Sequence, residues 1–230
     1  MNAEISNSSA ILNFYRMLPA SLDVPAGIEV MNPFTTASSI KYAEQFYTKF
    51  YSDHRPRALV FGINPGRFGG GITGIPFTDP IRLSEDCGIP NELQKRKELS
   101  ADFIYSVVRA WGGATSFYSS FFITALSPLG FTRNGTNLNY YDDKKLLAGI
   151  EPFIVQCIRE QQRIFSQQDK CICLGEGTNY AYFSRLNQQY QFFKEIIPLP
   201  HPRWIMQYRR KYLEEYIDVY VSRLGDLIKS

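Results

Sequence analysis

The sequence predicts an α/β fold, a three-layer αβα arrangement around a central, mainly parallel four-stranded sheet. Three observations carry this prediction. Short apolar runs recur along the chain, stretches with helical spacing of apolar residues separate them, and the runs end at glycine, proline or polar residues. Strands are predicted at about 57–63, 120–126, 170–174 and 192–197. Because strands alternate with helical stretches, we expect right-handed crossovers and parallel pairing.

Predicted helices flank these strands and fill the intervals between them. They are placed at 8–18, at 36–51, near 92–111, from Asp142-Asp143 to about Ser166, from Thr178 or Asn179 onward, and at roughly 204–228. A long loop is expected from the first strand to about 90, and a polar loop over 130–141. Neither an internal repeat nor a separating linker is visible, so we expect one domain over 1–230.

The composition indicates a domain that folds without metal or disulfide staples. A chain of 230 residues is long enough to bury a sizeable core. The two histidines lie far apart, so no zinc or iron–sulfur site is expected. The cysteines show no Cys-x-x-Cys spacing and are predicted to be buried, reduced thiols; they are Cys87, Cys157, Cys171 and Cys173.

The charge and hydropathy patterns limit the kinds of partner that we expect for this protein. The net charge of +3 does not by itself indicate a nucleic-acid binder, so local clustering of basic groups matters more. No apolar run is long enough to span a bilayer, and the first residues lack a basic segment followed by an apolar one. We therefore expect no membrane partner and a cytoplasmic location.

Polar residues follow the predicted strands at the points where the strands end. Asn64 follows the first strand, and the 127–141 loop follows the second. Residues 176–179 follow the third strand, and His201 follows the fourth. The carboxyl ends of parallel strands share one edge of an open sheet, and ligands bind there. These segments are therefore expected to form one cleft.

Asn64 and His201 have side chains suited to a particular kind of chemistry. Proline after Asn64 restricts that residue to extended conformations, and a neutral carboxamide can orient a water but cannot act as a strong base. The leaving group must then depart with little activation of the attacking water, as in N-glycosidic cleavage of uracil. His201 can donate a hydrogen bond to the departing base, and Phe77 can stack on it. Each residue alone also has a plainer interpretation, as turn former, loop histidine or core ring.

Together these residues resemble a known family. The segment Gly62-Ile-Asn-Pro-Gly-Arg-Phe-Gly-Gly-Gly-Ile-Thr-Gly-Ile-Pro-Phe77 is similar to the first motif of the single-strand-selective monofunctional (SMUG) branch of the uracil-DNA glycosylase superfamily. His201-Pro202-Arg203-Trp204 resembles a shortened form of its last motif, and Ser127-Pro128-Leu129-Gly130-Phe131 its middle one. The sequence is most similar to the second, mostly bacterial branch.

The resemblance implies roles for individual residues. Asn64 would position the hydrolytic water, and His201 would contact the uracil O2. Ile63 would contact the base edge through its backbone, Phe77 would stack on the ring, and Gly66 would leave room beside C5. Where the family has a base-reading asparagine, this chain has Ala125. Base selection is therefore expected from other groups, namely Asn137, Asn139, Asn179 or the backbone.

Basic and aromatic residues cluster in and after the last motif. Arg203, Trp204 and the following turn would form the wedge that enters the duplex where the base has left. Phosphate contacts are predicted for Arg67, Arg203, Arg209, Arg210 and Lys211, and Arg82, Arg133, Lys144 and Lys145 are placed on the same edge. A solvated helix face balanced by Glu214, Glu215 and Asp218 is the alternative. The run Lys95-Arg96-Lys97, between Glu92 and Glu98, is interpreted as exposed helix surface.

The expected activity is therefore monofunctional excision of uracil from DNA by base flipping, without a cofactor, and other deaminated bases are allowed as substrates. A monomer is the default, in the cytoplasm or at the nucleoid of a bacterium. Two alternatives stay open. A hydrolase of free nucleosides would need no basic rim, and a non-catalytic module binding damaged or single-stranded DNA is favoured by Ala125.

Overall fold

A computed structural model describes residues 5–165 and 169–229. The strands are β1 (Ile28–Met31), β2 (Ala58–Gly62), β3 (Phe121–Ala125), β4 (Gly130–Arg133), β5 (Thr136–Leu138), β6 (Lys170–Leu174) and β7 (Glu195–Leu199). The helices are α1 (Asn7–Arg16), α2 (Ala37–Tyr51), α3 (Gly70–Thr73), α4 (Pro80–Glu85), α5 (Leu99–Ala110), α6 (Ala114–Tyr118), α7 (Lys144–Ile164), α8 (Thr178–Tyr190), α9 (Pro202–Tyr208) and α10 (Leu213–Lys229). Short 3₁₀ turns cover Pro33–Thr35 and Arg210–Tyr212.

The central sheet has four parallel strands in the order β3-β2-β6-β7. β2 and β3 are buried along their whole length, because helices cover a parallel sheet on both faces. On one face Phe122 meets Tyr51 at the end of α2, and Thr124 donates a hydrogen bond to Gln161 of α7. On the other face Phe121 contacts Trp111, next to α5. The predicted αβα fold and all four predicted strands are confirmed.

A second, antiparallel sheet with the order β1-β4-β5 was not predicted. Its strands β4 and β5 lie within residues 130–141, so the prediction of a polar loop over those residues is wrong. The two strands join through Asn134 and Gly135, which have φ values of 51° and 69°. An Asn-Gly pair with positive φ is the favoured two-residue hairpin turn. This hairpin brings residues 136–140 up to the end of β2.

Several helix boundaries also need correction. The loop expected up to about 90 contains α3 and α4, and the helix predicted from about 92 begins only at Leu99. The last predicted helix is two helices, since Arg209 leaves the helical conformation with φ −131° and ψ 19°. No glycine or proline marks that break. The predicted helix end at Ser166 lies outside the described residues.

The cysteines are all buried and free, as predicted for structural thiols. Burial raises the pKa of Cys87 and of Cys173 to about 12, and it also raises that of Cys157 and Cys171. Over residues 5–165 and 169–229, none of the helices combines the length and the hydropathy needed to cross a bilayer.

Candidate active site

Asn64 stands directly beyond the carboxyl end of β2, and two backbone groups fix its side chain. Its Oδ1 accepts from the Tyr140 N–H at 3.1 Å, and its Nδ2 donates to the Leu138 carbonyl at 3.2 Å. Turning the carboxamide over would set N–H groups against each other and carbonyls against each other, so these partners define its orientation. The segment after β5 therefore holds the carboxamide in one position.

Phe77 lies over the end of β2 in a conformation that is uncommon for a residue with a side chain. Its φ is 54°, and its ring occupies the space where a Cβ on Gly62 would come within 2.6 Å of Cε2. The buried Thr73 supports this turn, since its hydroxyl donates to the Thr78 carbonyl at 2.7 Å and accepts from the Ile75 N–H at 3.1 Å. A strained, well-supported aromatic at a strand end is typical of a ligand site.

His201 caps the start of α9 and faces Phe77, with ring centroids 6.1 Å apart. Its Nδ1 accepts from the Arg203 N–H at 3.2 Å, which places the proton of a neutral ring on Nε2. Burial, with the nearby Arg203 charge, lowers the pKa of His201 to about 4. At neutral pH the side chain is therefore an uncharged hydrogen-bond donor.

One pocket joins these residues at the carboxyl edge of the sheet. Of the predicted site residues, it is lined by Ile63, Asn64, Gly66, Phe77, Asn139, His201 and Arg203. Asn137 and Ala125 also line it, so the apolar side chain at 125 does face the pocket. The carboxamide and the imidazole, far apart along the chain, thus border the same space.

Asn179 does not line this pocket, and its predicted part in base binding is corrected. Its side chain is 2% exposed, accepts from the Tyr140 hydroxyl at 2.6 Å and donates to the Leu174 carbonyl at 3.1 Å. Both ends of the carboxamide are thus engaged inside the protein. Asn179 joins β6 and α8 to the segment that orients Asn64.

Glu98 is a pocket residue that the sequence analysis missed. It lines the pocket from the residue before α5, and its carboxyl lies against the loop after β2, where a Cβ on Gly66 would be 2.9 Å from Oε1. Burial, with the Asp79 charge, raises the pKa of Glu98 to about 7. Glu98 follows the charged run Lys95-Arg96-Lys97, and nothing in the sequence distinguishes it from that run. These three residues are exposed, as predicted, but they are not helical.

The basic residues after His201 are exposed and keep their charges available. The Arg209 guanidinium lies 4.9 Å from the Trp204 ring centroid, and Lys211 Nζ lies 4.7 Å from that of Tyr212. Within the part of the chain that the structure describes, Arg209, Arg210 and Lys211 form no ion pair with Glu214, Glu215 or Asp218. This disfavours the alternative of a charge-balanced helix face.

Other predicted phosphate ligands are less free. Arg67 is exposed but donates to the Gly135 carbonyl, which ties the first loop to the hairpin. Arg82 is engaged by Glu85 and Asp86, each at 2.8 Å, and Arg133 by Asp143 at 2.5 Å. Arg82 and Arg133 are therefore less available for phosphate contacts than Arg209, Arg210 and Lys211, which form no such pairs among the described residues.

The described residues contain no group of three or more His, Cys, Asp or Glu side chains placed to hold a metal ion.

Comparison with known proteins identifies the family. The model of the uracil DNA glycosylase superfamily matches residues 48–225, which include every pocket residue named above. The chain belongs to the uracil DNA glycosylase superfamily. The crystal structure of wild-type SMUG2 from Pedobacter heparinus is similar over 99% of this chain and 100% of its own, with 41% identity and a TM-score of 0.95. No curated protein matches the chain.

Membership of the uracil DNA glycosylase superfamily confirms the predicted enzyme class, a hydrolytic, monofunctional uracil-DNA glycosylase. The likeness to the Pedobacter heparinus SMUG2 structure confirms the predicted SMUG-type fold and branch. DNA containing uracil is accordingly the partner of the family's reaction.

Proposed function

We propose that this glycosylase rotates uracil out of DNA into the pocket between Asn64 and His201 and cleaves its N-glycosidic bond with water. One observation carries the proposal. A fixed neutral carboxamide and an uncharged imidazole line the same pocket, beside an aromatic ring that can stack on a base. An enzyme that acts on a base in duplex DNA must first take it out of the stack.

Asn64 is assigned the role of orienting the water. Its Oδ1 uses one lone pair for the Tyr140 N–H and keeps a second one for a water molecule. A carboxamide does not take up a proton at neutral pH, so the bond to the sugar must break early. The departing uracil carries delocalised negative charge, and the sugar passes through an oxocarbenium-like state.

His201 is assigned to the departing base. Its Nε2–H donates to the uracil O2, where negative charge grows as the bond breaks. A preorganised donor at a developing oxyanion contributes roughly 3–4 kcal/mol in comparable sites. Because the ring is neutral at pH 7, it stabilises this charge as a hydrogen-bond donor and transfers no proton.

Phe77 and the rim are assigned to binding. Phe77 would stack on the base, the Ile63 backbone would contact its edge, and Gly66 would leave room at C5. Asn139 lines the pocket and is a further candidate for contact with the base. The DNA backbone would be held by Arg67, Arg203, Trp204, Arg209, Arg210 and Lys211, with Arg203 and Trp204 nearest the vacated position in the duplex.

The direct test uses oligonucleotides with a single uracil, single-stranded and paired with each base, followed by alkali to cleave abasic sites. We expect cleavage only after alkali, because no lysine is among the described residues that line the pocket to form a Schiff base. Absence of cleavage above controls at stoichiometric enzyme would refute the proposal.

Ala125 is a departure from the family's motif that the same test must account for, since a pocket that binds uracil in DNA without cleaving it is the alternative outcome. It faces the pocket and offers no hydrogen bond to a base. Tight binding of the same oligonucleotides without release of free uracil would identify that alternative. A hydrolase of free nucleosides would instead keep its activity in high salt, since it would not depend on the basic rim.

A further inference from the structure

The pocket has few polar side chains free to recognise the edge of a base. Both ends of the Asn64 carboxamide are engaged by the backbone, and Asn137 Oδ1 accepts from the Arg67 N–H at 3.2 Å. His201 has one donor left, which the proposed function assigns to O2. Ala125 contributes no polar group at all. Besides Asn139, a candidate for one contact with the base, few pocket side chains remain to pair with the ring N–H and the adjacent carbonyl of uracil.

Glu98 has the position and the freedom to do this. Its carboxyl lies in a recess left by two glycines: a Cβ on Gly66 would approach Oε1 to 2.9 Å, and one on Gly69 would collide with Oε2. The Glu98 N–H donates to Asp79 Oδ2 at 2.9 Å, which fixes the backbone at the start of α5. Among the described residues, no hydrogen-bond donor reaches the Glu98 carboxyl. A side chain with a secured backbone and an unused carboxyl is placed to bind a ligand.

We propose that Glu98 recognises the base, its carboxyl accepting the ring N–H of uracil in place of the asparagine that Ala125 replaces. This inference rests on the proposed function, because it assigns a contact to a base bound in that pocket. A carboxyl group in its neutral form also donates through its O–H. It then offers the same donor and acceptor pair as a carboxamide, and it can pair with the N–H and the adjacent carbonyl together.

The surroundings of Glu98 favour that neutral form near pH 7. Burial and the Asp79 charge, at the start of α4, raise the pKa of its carboxyl to about 7, against the opposing charge of Arg203 on α9. His201, across the pocket, is neutral there. On its own segment Lys97 is engaged by Asp102, with Nζ 2.9 Å from Oδ2. Below about pH 7 the carboxyl both donates and accepts, and above it the carboxylate repels the base carbonyl.

A general base that activates the water is the competing role for Glu98. Glu98 contacts the loop at Gly66 and Gly69, whereas the Asn64 carboxamide is turned toward Leu138 and Tyr140. No hydrogen bond joins these two side chains in the described part of the chain. The two roles predict opposite effects of pH, because a base must be ionised and the recognising acid must be neutral.

The test measures single-turnover uracil excision by wild type, Glu98→Gln and Glu98→Ala between pH 6 and 8.5, with Glu92→Gln as an exposed control. We expect the wild-type rate to fall as pH rises through about 7. Glu98→Gln, with a permanent donor and acceptor, should stay within about 3-fold of wild type at pH 6 and lose this pH dependence. Glu98→Ala should lose about 10- to 100-fold, because the base N–H is left without an acceptor.

A second substrate separates recognition from a merely structural role. Methylation of uracil at N3 removes the ring N–H, so wild type should prefer uracil over 3-methyluracil by about 10-fold or more, and Glu98→Ala should reduce this preference. Binding to abasic-site DNA should be equal in all variants. A Glu98→Gln enzyme as slow as Glu98→Ala, with a wild-type rate that rises with pH, would establish the general base instead. Unchanged rates in Glu98→Ala would overturn the inference, and an inactive wild type would refute the proposed function itself.

Discussion

Asn64 depends on backbone groups from a different part of the chain for its orientation. The Leu138 carbonyl and the Tyr140 N–H hold it from the end of the β4–β5 hairpin. Neither group depends on a side chain at those positions. The orientation of the Asn64 carboxamide therefore requires the hairpin to be in place.

Asn64→Ala should abolish turnover, by at least about 100-fold, while leaving DNA affinity within about 2-fold. The reason is that the water loses its orienting oxygen, whereas the basic rim is unchanged; loss of comparable preorganised groups costs 10² or more. Single-turnover excision and a binding titration with uracil DNA would measure the two effects. An unimpaired variant would refute the assigned role of Asn64.

His201 links the site to the stability of the fold at low pH. Its pKa is about 4 in the folded protein and ordinarily 6.5, so the unfolded chain binds a proton first as pH falls. The free energy of unfolding should therefore decrease between about pH 6.5 and 4, by up to about 2 kcal/mol at pH 5 from this residue. Urea unfolding at pH 7 and pH 5 would measure it.

His201→Asn is the comparison variant for this effect. Its Oδ1 can accept the Arg203 N–H as His201 Nδ1 does, but the side chain does not titrate. The variant should lose less stability than wild type between pH 7 and pH 5, and an equal loss in both proteins would contradict the assignment to His201.

At the scale of elements, the Asn134-Gly135 turn and the antiparallel sheet that it forms show where the sequence was informative and where it was misread. The four short apolar runs predicted the buried parallel strands, because such strands are apolar on both faces. β5 is exposed and polar, so it has no apolar run, and its only signal was the Asn-Gly pair itself. Glu98 also gave no signal, because the sequence does not show which residue in a run of charged residues turns its side chain into the pocket.

Asn179 provides a test at this scale, because it connects β6 and α8 to Tyr140. Asn179→Ala should lower the free energy of unfolding by about 1–3 kcal/mol, since the Tyr140 hydroxyl and the Leu174 carbonyl lose a buried partner. Base preference should stay unchanged, in contrast to Glu98→Ala. Denaturant unfolding and a panel of deaminated bases would measure both, and altered base preference with normal stability would restore the original prediction.

At the scale of the whole molecule, the charges are distributed unevenly despite the small net charge. Arg203 lines the pocket at the carboxyl edge of the sheet, and the exposed Arg209, Arg210 and Lys211 follow directly after α9. Lys170 and Lys194 lie at the opposite, amino edge and are engaged by acidic neighbours. The motifs predicted a group of basic residues after His201, but spacing alone did not reveal the ion pairs that Arg82 and Arg133 form with acidic neighbours.

The double variant Arg210→Ala/Lys211→Ala should bind uracil DNA more weakly, by a similar factor for every surrounding sequence. Each lost phosphate contact should reduce the slope of log affinity against log salt by about 0.7 for single strands and about 0.9 for duplex. Affinity titrations at several salt concentrations would measure the slope. Lys170→Ala/Lys194→Ala, with the same change of charge at the amino edge, is the matched control and should leave it unchanged.

The burial of all four thiols has a practical consequence for following the enzyme on DNA. A protonated sulfur inside the core reacts poorly with maleimide, so a single cysteine introduced at the exposed Gln207 would take up a dye selectively. A fluorophore beside Trp204 would then report the arrival of a strand in real time, in a protein that keeps every native sulfur.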